Sequence, residues 1–215
     1  MQIESITTLQ TALNWRYAVR RFSDSTVSEA KLTQILKETR LSPSAFGLQP
    51  YKLLVISDEA IKNRLVDASY GQDKIAKNSH LIVFVADMSS TTKMVEKYAL
   101  RYSLHNDLMG KKLTAMKQTM LEAVARMTTE EQFQWASQQA YIALGTLLVC
   151  AASLHIDACP VGGINASEYD KILELDKQNL RTVIACPIGY RHPLDHAAYA
   201  NKVRKPLEEL VVRVG

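Results

Sequence analysis

The sequence predicts a central β-sheet covered by helices on both faces. Three observations predict it. Residues 53–56 (Leu-Leu-Val-Ile), 81–86 (Leu-Ile-Val-Phe-Val-Ala) and, except at Thr182, 182–188 form short runs that are apolar on both sides, the pattern of strands buried on both faces. Segments with helical periodicity separate these runs. One of them, starting at Thr128 or Thr129 and reaching Ala152, turns apolar nearly all round in its second half, which marks a buried helix.

The elements follow in order. A first helix has Ile6, Leu9 and Leu13 on one face and ends near Asn14 or Trp15. A second begins after Thr26-Val27-Ser28-Glu29, where Thr26 and Glu29 have capping-box spacing. Its apolar face is Leu32, Ile35, Leu36 and Thr39, and it stops at Ser42-Pro43, because proline disfavours helix in the residue before it. A loop over 44–50 leads to a strand over 51–56, and Ser57 and Asp58 cap a short helix over 59–68. After the strand over 81–86, residues 92–128 are polar and helix-prone. The long helix follows, with Phe133, Ala136, Ala140, Leu144, Leu147, Leu148, Ala151 and Ala152 in its pattern. Its alanines and Gly145 permit close backbone approach. A short strand over 156–158, the loop Cys159-Pro160-Val161-Gly162-Gly163, a helix over 166–175 and the strand over 182–188 complete the domain. The tail carries Lys202-Val203-Arg204-Lys205, a helical pattern over 207–210 begun by Pro206, and Val211-Val212-Arg213-Val214.

Composition narrows the function. The 215 residues are 47% apolar and 22% charged, which is ordinary for a globular protein with a real core. A net charge of +4 comes from scattered lysines and arginines, not from the dense basic stripe of a nucleic-acid binder. Cys150, Cys159 and Cys186 have neither disulfide nor metal-ligand spacing. Glu4 interrupts any leader pattern, and the most apolar helical stretch, 141–154, is too short to span a bilayer. The expectation is a soluble, cytoplasmic protein. No GxGxxG follows a strand, and neither GxxxxGK[ST] nor GxSxG is present. Nicotinamide Rossmann domains, P-loop NTPases and α/β-hydrolases are therefore disfavoured. His192 and His196 flank Asp195 at metal-like spacing, but Pro193 places them in a loop; no metal is expected.

What remains is a set of anion-binding and backbone-display features. Arg16-Tyr17-Ala18-Val19-Arg20-Arg21-Phe22 holds three arginines in six residues, and guanidinium suits phosphate oxygens. If this segment is extended, Arg16, Ala18 and Arg20 share one side and Arg21 faces the other. Lys202 and Arg204 form a second basic cluster, Lys74 precedes a strand, and Gly162-Gly163 follows one. With no nucleophile or acid–base pair in view, the pattern suits an enzyme whose cofactor carries the chemistry.

In that setting the chain resembles the nitroreductase family of FMN-dependent oxidoreductases. Four stretches carry the resemblance, in the family's order: Arg16 to Phe22, Ser42-Pro43-Ser44-Ala45-Phe46-Gly47-Leu48-Gln49-Pro50-Tyr51, Pro160-Val161-Gly162-Gly163, and Gly189-Tyr190-Arg191-His192 leading to Lys202-Val203-Arg204. It runs from about Leu9 to Arg204 and implies one FMN-binding domain over 1–215. The implied fold is α+β, with a central, mostly antiparallel sheet and an intertwined homodimer holding FMN in two interface clefts. By this resemblance Arg16, Lys202 and Arg204 hold the FMN phosphate and ribityl chain, and Arg20 and Lys74 lie at the pyrimidine edge of the ring. Tyr17 and Ala18 contact the cofactor. Pro43, Ser44, Ala45 and Gly47 belong to the loop laid on the flavin by the partner subunit, and Pro160, Val161, Gly162 and Gly163 approach the ring near N5. The implied reaction moves a hydride from NADH or NADPH through the flavin to a nitroaromatic, a quinone or a similar small acceptor. Alternatives on the same fold are a flavin-dependent dehydrogenase, dehalogenase or flavin-fragmenting enzyme, or a flavin-binding protein without turnover. The chain departs from common members at Gly162 (often glutamate), Gly47 and Gly71 (often asparagine). Residues 92–128 are expected to cap the cleft, with Tyr98, Tyr102 and Phe133 as candidates for stacking or for core packing.

Overall fold

Four strands pair in the order β1-β2-β4-β3: Tyr51–Ile56, His80–Asp87, Leu180–Gly189 and Asp157–Ala158. Every pairing between them is antiparallel. The computed structural model describes residues 2–215, with side chains from Leu9 onward; the contribution of Ile6 to the first helix lies outside the described side chains. Along β2, successive side chains enter opposite cores, as the two-residue period of a strand requires. Ile82 and Phe84 pack under α2 (Glu29–Thr39) and α6 (Thr129–Ser153) with Leu32, Ile35, Leu144 and Leu147. Leu81, Val83 and Val85 face α3 (Glu59–Asp67) and α7 (Ala166–Ile172) with Leu65 and Tyr169. The sheet is thus covered on both faces, as the doubly apolar strands predict.

Local signals set most boundaries. α6 starts on a capping box: Thr128 Oγ1 accepts from Glu131 N, and Glu131 Oε2 accepts from Thr128 N at 2.8 Å. α2 is capped differently from expectation. Ser28, not Thr26, is the N-cap and accepts from Lys31 N; Ser79 Oγ takes the Val27 N–H at 2.7 Å and keeps that residue outside the helix. α2 ends at Thr39, three residues before Ser42, whose Oγ turns back to donate to Thr39 O at 2.6 Å. α7 ends at Ile172 instead of residue 175, because Glu174 adopts a left-handed φ of 53°. Residues 92–128 divide into α4 (Thr91–Asn106) and α5 (Gly110–Val124), with left-handed Asp107 and Gly110 at the break. These two helices share a small core of Val95, Met120 and Val124. α1 (Gln2–Trp15) leads into the arginine segment, and a short α8 (Leu207–Leu210) lies in a tail that is exposed from residue 201 to residue 215. Among the described residues no helix is long and apolar enough to cross a membrane.

Candidate functional site

The arginine segment is extended beside the short strand β3: Ala18 forms a parallel bridge with Ala158, and Phe22 an antiparallel one with Arg191. Val19 and Phe22 are buried while Ala18, Arg20 and Arg21 are exposed, so the two-residue alternation of a strand holds over 18–20 and is broken at Arg21. The C-terminal stretch grips this segment at three points. Lys202 Nζ donates to the carbonyls of Leu13, Asn14 and Arg16 at 2.5, 3.2 and 2.6 Å, satisfying orphan acceptors at the end of α1. Asp195, only 4% exposed, accepts at Oδ2 from Tyr17 OH (3.1 Å), Arg20 N (2.9 Å) and Arg21 N (3.2 Å). Arg191 lies between two rings, 4.1 Å from the Trp15 centroid and 4.6 Å from that of Tyr17. Its guanidinium also meets buried Asp157, with Nη2 to Oδ1 at 2.6 Å and Nε to Oδ1 at 3.0 Å.

Electrostatics follows from this packing. Desolvation, then the nearby Arg16 and Arg204, lowers the Lys202 pKa below the usual lysine value. The three cations expected to hold a phosphate are thus together. Desolvation opposes ionisation of Asp195, yet the Arg20 and Arg21 N–H groups, the Tyr17 hydroxyl and the Ala197 N–H outweigh it and depress its pKa. Tyr17 is raised well above an ordinary phenol, first by burial and then by the Asp195 charge. Arg16, Arg20, Lys74, Lys202 and Arg204 form no ion pair with a carboxylate among the described residues.

Arg20 and Lys74 line one cleft of about 390 Å³. Arg21, which the alternation placed on the far side, lines it as well, with His192 and the ion-paired Lys77 and Asp73. The turn that bears Lys74 is tied to the glycine loop twice. Lys74 Nζ lies 3.3 Å from Cys159 Sγ, and Gln72 Nε2 donates to Gly163 O at 2.9 Å. Val161 is buried and exchanges backbone hydrogen bonds with Ala185, while Pro160 is half-buried. Gly162 and Gly163 are exposed, and their N–H groups donate to nothing among the described residues. A Cβ on either would meet no neighbour closer than 3.7 Å, so this chain's own packing does not demand glycine there.

The loop with Pro43, Ser44, Ala45 and Gly47 stands apart from this cluster. Its hydrogen bonds run within the loop, to Arg40 O, and to Gln139 Oε1 of α6, which accepts from Ala45 N at 2.9 Å. Gly47 has a φ of +71°, and a Cβ there would lie 2.9 Å from Tyr98 Cε2. Tyr98 also stacks on Tyr102 at 5.9 Å, and Phe133 lies under the Arg181 guanidinium at 3.8 Å, so the chain's own contacts occupy all three aromatic candidates. A larger cavity of about 620 Å³ opens between the start of β1 and α4, lined by Lys52, Lys93, Lys97, Tyr98 and Arg101 among others and by none of the expected cofactor-binding residues.

Sequence reasoning missed Asp157, Arg191 and Asp195 as members of the arrangement. An aspartate opening the apolar β3 is the available signal for the first. Asp195 stands between two histidines in the sequence, which suggests a metal, whereas its carboxylate is spent on backbone N–H groups.

The Nitroreductase family description matches residues 13–190. A Staphylococcus aureus USA300 protein provisionally named an NAD(P)H nitroreductase is 30% identical, over 97% of this chain and 96% of its own. A protein of Thermus thermophilus named NADH dehydrogenase is 28% identical over 94% of each. Among solved structures, an FMN complex of a protein provisionally named a nitroreductase, from Exiguobacterium sibiricum 255-15, superposes with a TM-score of 0.82 at 20% identity, covering 96% of this chain and 97% of its own. A family match across most of the chain, full-length relatives and the antiparallel two-sided fold agree: the chain belongs to the nitroreductase family.

Proposed function

We propose that this chain is an FMN-dependent oxidoreductase that uses NADH or NADPH to reduce a small oxidised acceptor such as a nitroaromatic or quinone. The observation that supports the reading is two groups of cations, Arg20 with Lys74 lining one cleft and Arg16 and Arg204 near Lys202, none of them ion-paired with a carboxylate among the described residues. Like charges gathered near one another repel unless an anion joins them. FMN fits this set: it is anionic at its phosphate and, when reduced, at its pyrimidine edge.

Bound FMN would supply two-electron hydride chemistry between the nicotinamide and the acceptor. The residues supply binding and orientation. Arg16 and Arg204 hold the phosphate, and Lys202, anchored on the α1 carbonyls, keeps them in place and adds its charge. Arg20 and Lys74 stabilise negative charge at the ring edge. Tyr17 and Ala18 line the cofactor. Pro160 and Val161 present Gly162 and Gly163, whose unspent N–H groups and missing side chains let backbone reach the ring.

The functional unit in this reading is a homodimer of single-domain subunits. β1 is an edge strand whose outer side carries no partner strand among the described residues, Tyr141 and Ile142 of α6 are exposed, and so are Leu207, Leu210 and Val212 of the tail. Exposed apolar surface and open edges of this kind call for a partner. Pro43, Ser44, Ala45 and Gly47 then meet the flavin of the other subunit.

The purified protein tests the reading. It is expected to be yellow, to release FMN on denaturation, and to be bleached by NADH or NADPH under anaerobic conditions. A colourless protein that cannot be reconstituted with FMN overturns it. Arg16→Ala with Arg204→Ala is expected to lower FMN affinity at least tenfold, each charge-assisted contact contributing about 1.5–3 kcal/mol; unchanged affinity refutes the phosphate assignment.

A further inference from the structure

Asp195 begins a short 3₁₀ turn over His196–Tyr199, and its Oδ1 accepts from Ala197 N at 3.2 Å. One oxygen suffices for that local turn. The other, Oδ2, is spent on residues about 175 positions earlier: Tyr17 OH, Arg20 N and Arg21 N. The two N–H groups flank the Arg20 Cα, so binding both to one oxygen fixes the plane of the peptide that joins Arg20 to Arg21 and the direction of the Arg20 Cα–Cβ bond. Tyr17 is held from both ends, by Oδ2 at its hydroxyl and by the Arg191 guanidinium over its ring. Arg20 itself lines the cleft that it shares with Lys74.

A carboxylate suits this task because it offers acceptors only, with enough lone pairs for four donors. We infer that Asp195 is the positioning residue of this site: it pins the backbone on both sides of Arg20 and so aims the Arg20 guanidinium into the cleft shared with Lys74. The functional half of this inference rests on the reading of that cleft as the pyrimidine edge of a flavin; the positional half does not. Asp195 touches no reacting atom and acts through Arg20 and Tyr17.

The experiment is a double-mutant cycle with a second readout. Asp195→Ala, Arg20→Ala and the double variant are compared with the wild type for FMN affinity and flavin midpoint potential. Amide hydrogen–deuterium exchange of residues 17–21 is followed by NMR on the FMN-free chain. Asp195→Ala is expected to weaken FMN binding about tenfold, by analogy with the loss of an outer-shell partner, and to make the potential more negative. In the Arg20→Ala background it is expected to add no further shift in potential, because the group it aims is gone. Amide exchange at Arg20 and Arg21 is expected to speed up at least tenfold. Asp195→Asn keeps the shape and one acceptor oxygen; it serves where the alanine variant fails to fold and is expected to give smaller changes of the same sign. An equal shift of potential in both backgrounds, or unchanged exchange at Arg20 and Arg21, overturns the inference. If Arg20→Ala itself leaves the potential unmoved, the flavin reading of the cleft fails, and the exchange data still judge whether Asp195 holds the segment.

Discussion

At Gly47 the chain has no room for a side chain. Its φ of +71° disfavours any L-residue, and a Cβ would press on the Tyr98 ring at 2.9 Å. The ring of Tyr98 takes the space that a side chain here would need. Gly47→Ala is expected to lower stability by about 1–3 kcal/mol in urea unfolding. Adding Tyr98→Ala relieves the contact and leaves the backbone cost. The requirement was not legible in the sequence, since it depends on a ring far along the chain. A second residue, His80, gives a pH signature. Burial, then the neighbouring Lys62 charge, depresses its pKa below the usual histidine value, with Glu29 opposing. The unfolded chain therefore takes up a proton near pH ~6.5 that the folded chain refuses. Stability is full above that pH and is lost as pH falls through it. Thermal melts between about pH 8 and 5 are expected to show Tm falling on the acid side, with a shallower slope in His80→Gln. Lys202 gives the opposite sign in ligand binding. Its pKa is lowered in the free chain by desolvation and by Arg16 and Arg204, and an FMN phosphate favours the charged form. FMN affinity is thus expected to fall as pH rises into a range below the usual lysine value, and Lys202→Met is expected to flatten that dependence.

Among the elements, β3 depends on a contact that no local pattern encodes. Asp157 is buried, and Arg191 supplies both its guanidinium and its main-chain N–H, the latter at 2.8 Å. Arg191→Met leaves a carboxylate buried without its cation, which is expected to cost about 3–5 kcal/mol in chemical denaturation. Asp157→Asn in the same chain is expected to recover part of that loss; a single Arg191→Met within experimental error of the wild type refutes the account. The contrast with α6 shows what a sequence can reveal. α6 begins where Thr128 and Glu131 stand three apart, a signal contained in four residues, and β1, β2 and β4 each contain a continuous apolar run, over 53–56, 81–86 and 183–188. Each was readable because its cause is local. The division of α4 from α5 had a local signal too, Asn106-Asp107 before Gly110, but the polar composition of 92–128 concealed it. The grip of Arg191, Asp195 and Lys202 on residues 13–21 joins positions more than 170 apart. Its members were visible as charges, and their partners were not. The family motifs supplied the cations of the candidate site; the Asp195 carboxylate that holds the Arg20 backbone came only from the fold.

For the whole molecule, the tail is the feature that the isolated chain leaves unexplained. Lys202 anchors it on the end of α1, and beyond that point every residue is exposed, with Leu207, Leu210, Val212 and Val214 among them. Exposing branched aliphatic side chains forfeits about 1.5–3 kcal/mol each relative to full burial. The same chain leaves the edge of β1 and an apolar face of α6 uncovered. A tail with apolar residues, an open strand edge and an exposed helix face are complementary when two copies exchange arms. Removing residues 206–215 separates the two roles of the C-terminal region, because Lys202 and Arg204 remain. If the arms hold the dimer, the shortened chain runs as a monomer by size-exclusion chromatography with light scattering. It also binds FMN more weakly, since Pro43, Ser44 and Ala45 of a partner no longer close the cleft, although every cation of the phosphate site is still present. If the shortened chain stays dimeric with unchanged FMN affinity, the β1 edge and the exposed face of α6 suffice for the proposed homodimer and the arm has no part in assembly. A monomer that retains full affinity separates the cofactor site from the interface and removes the partner loop from the site.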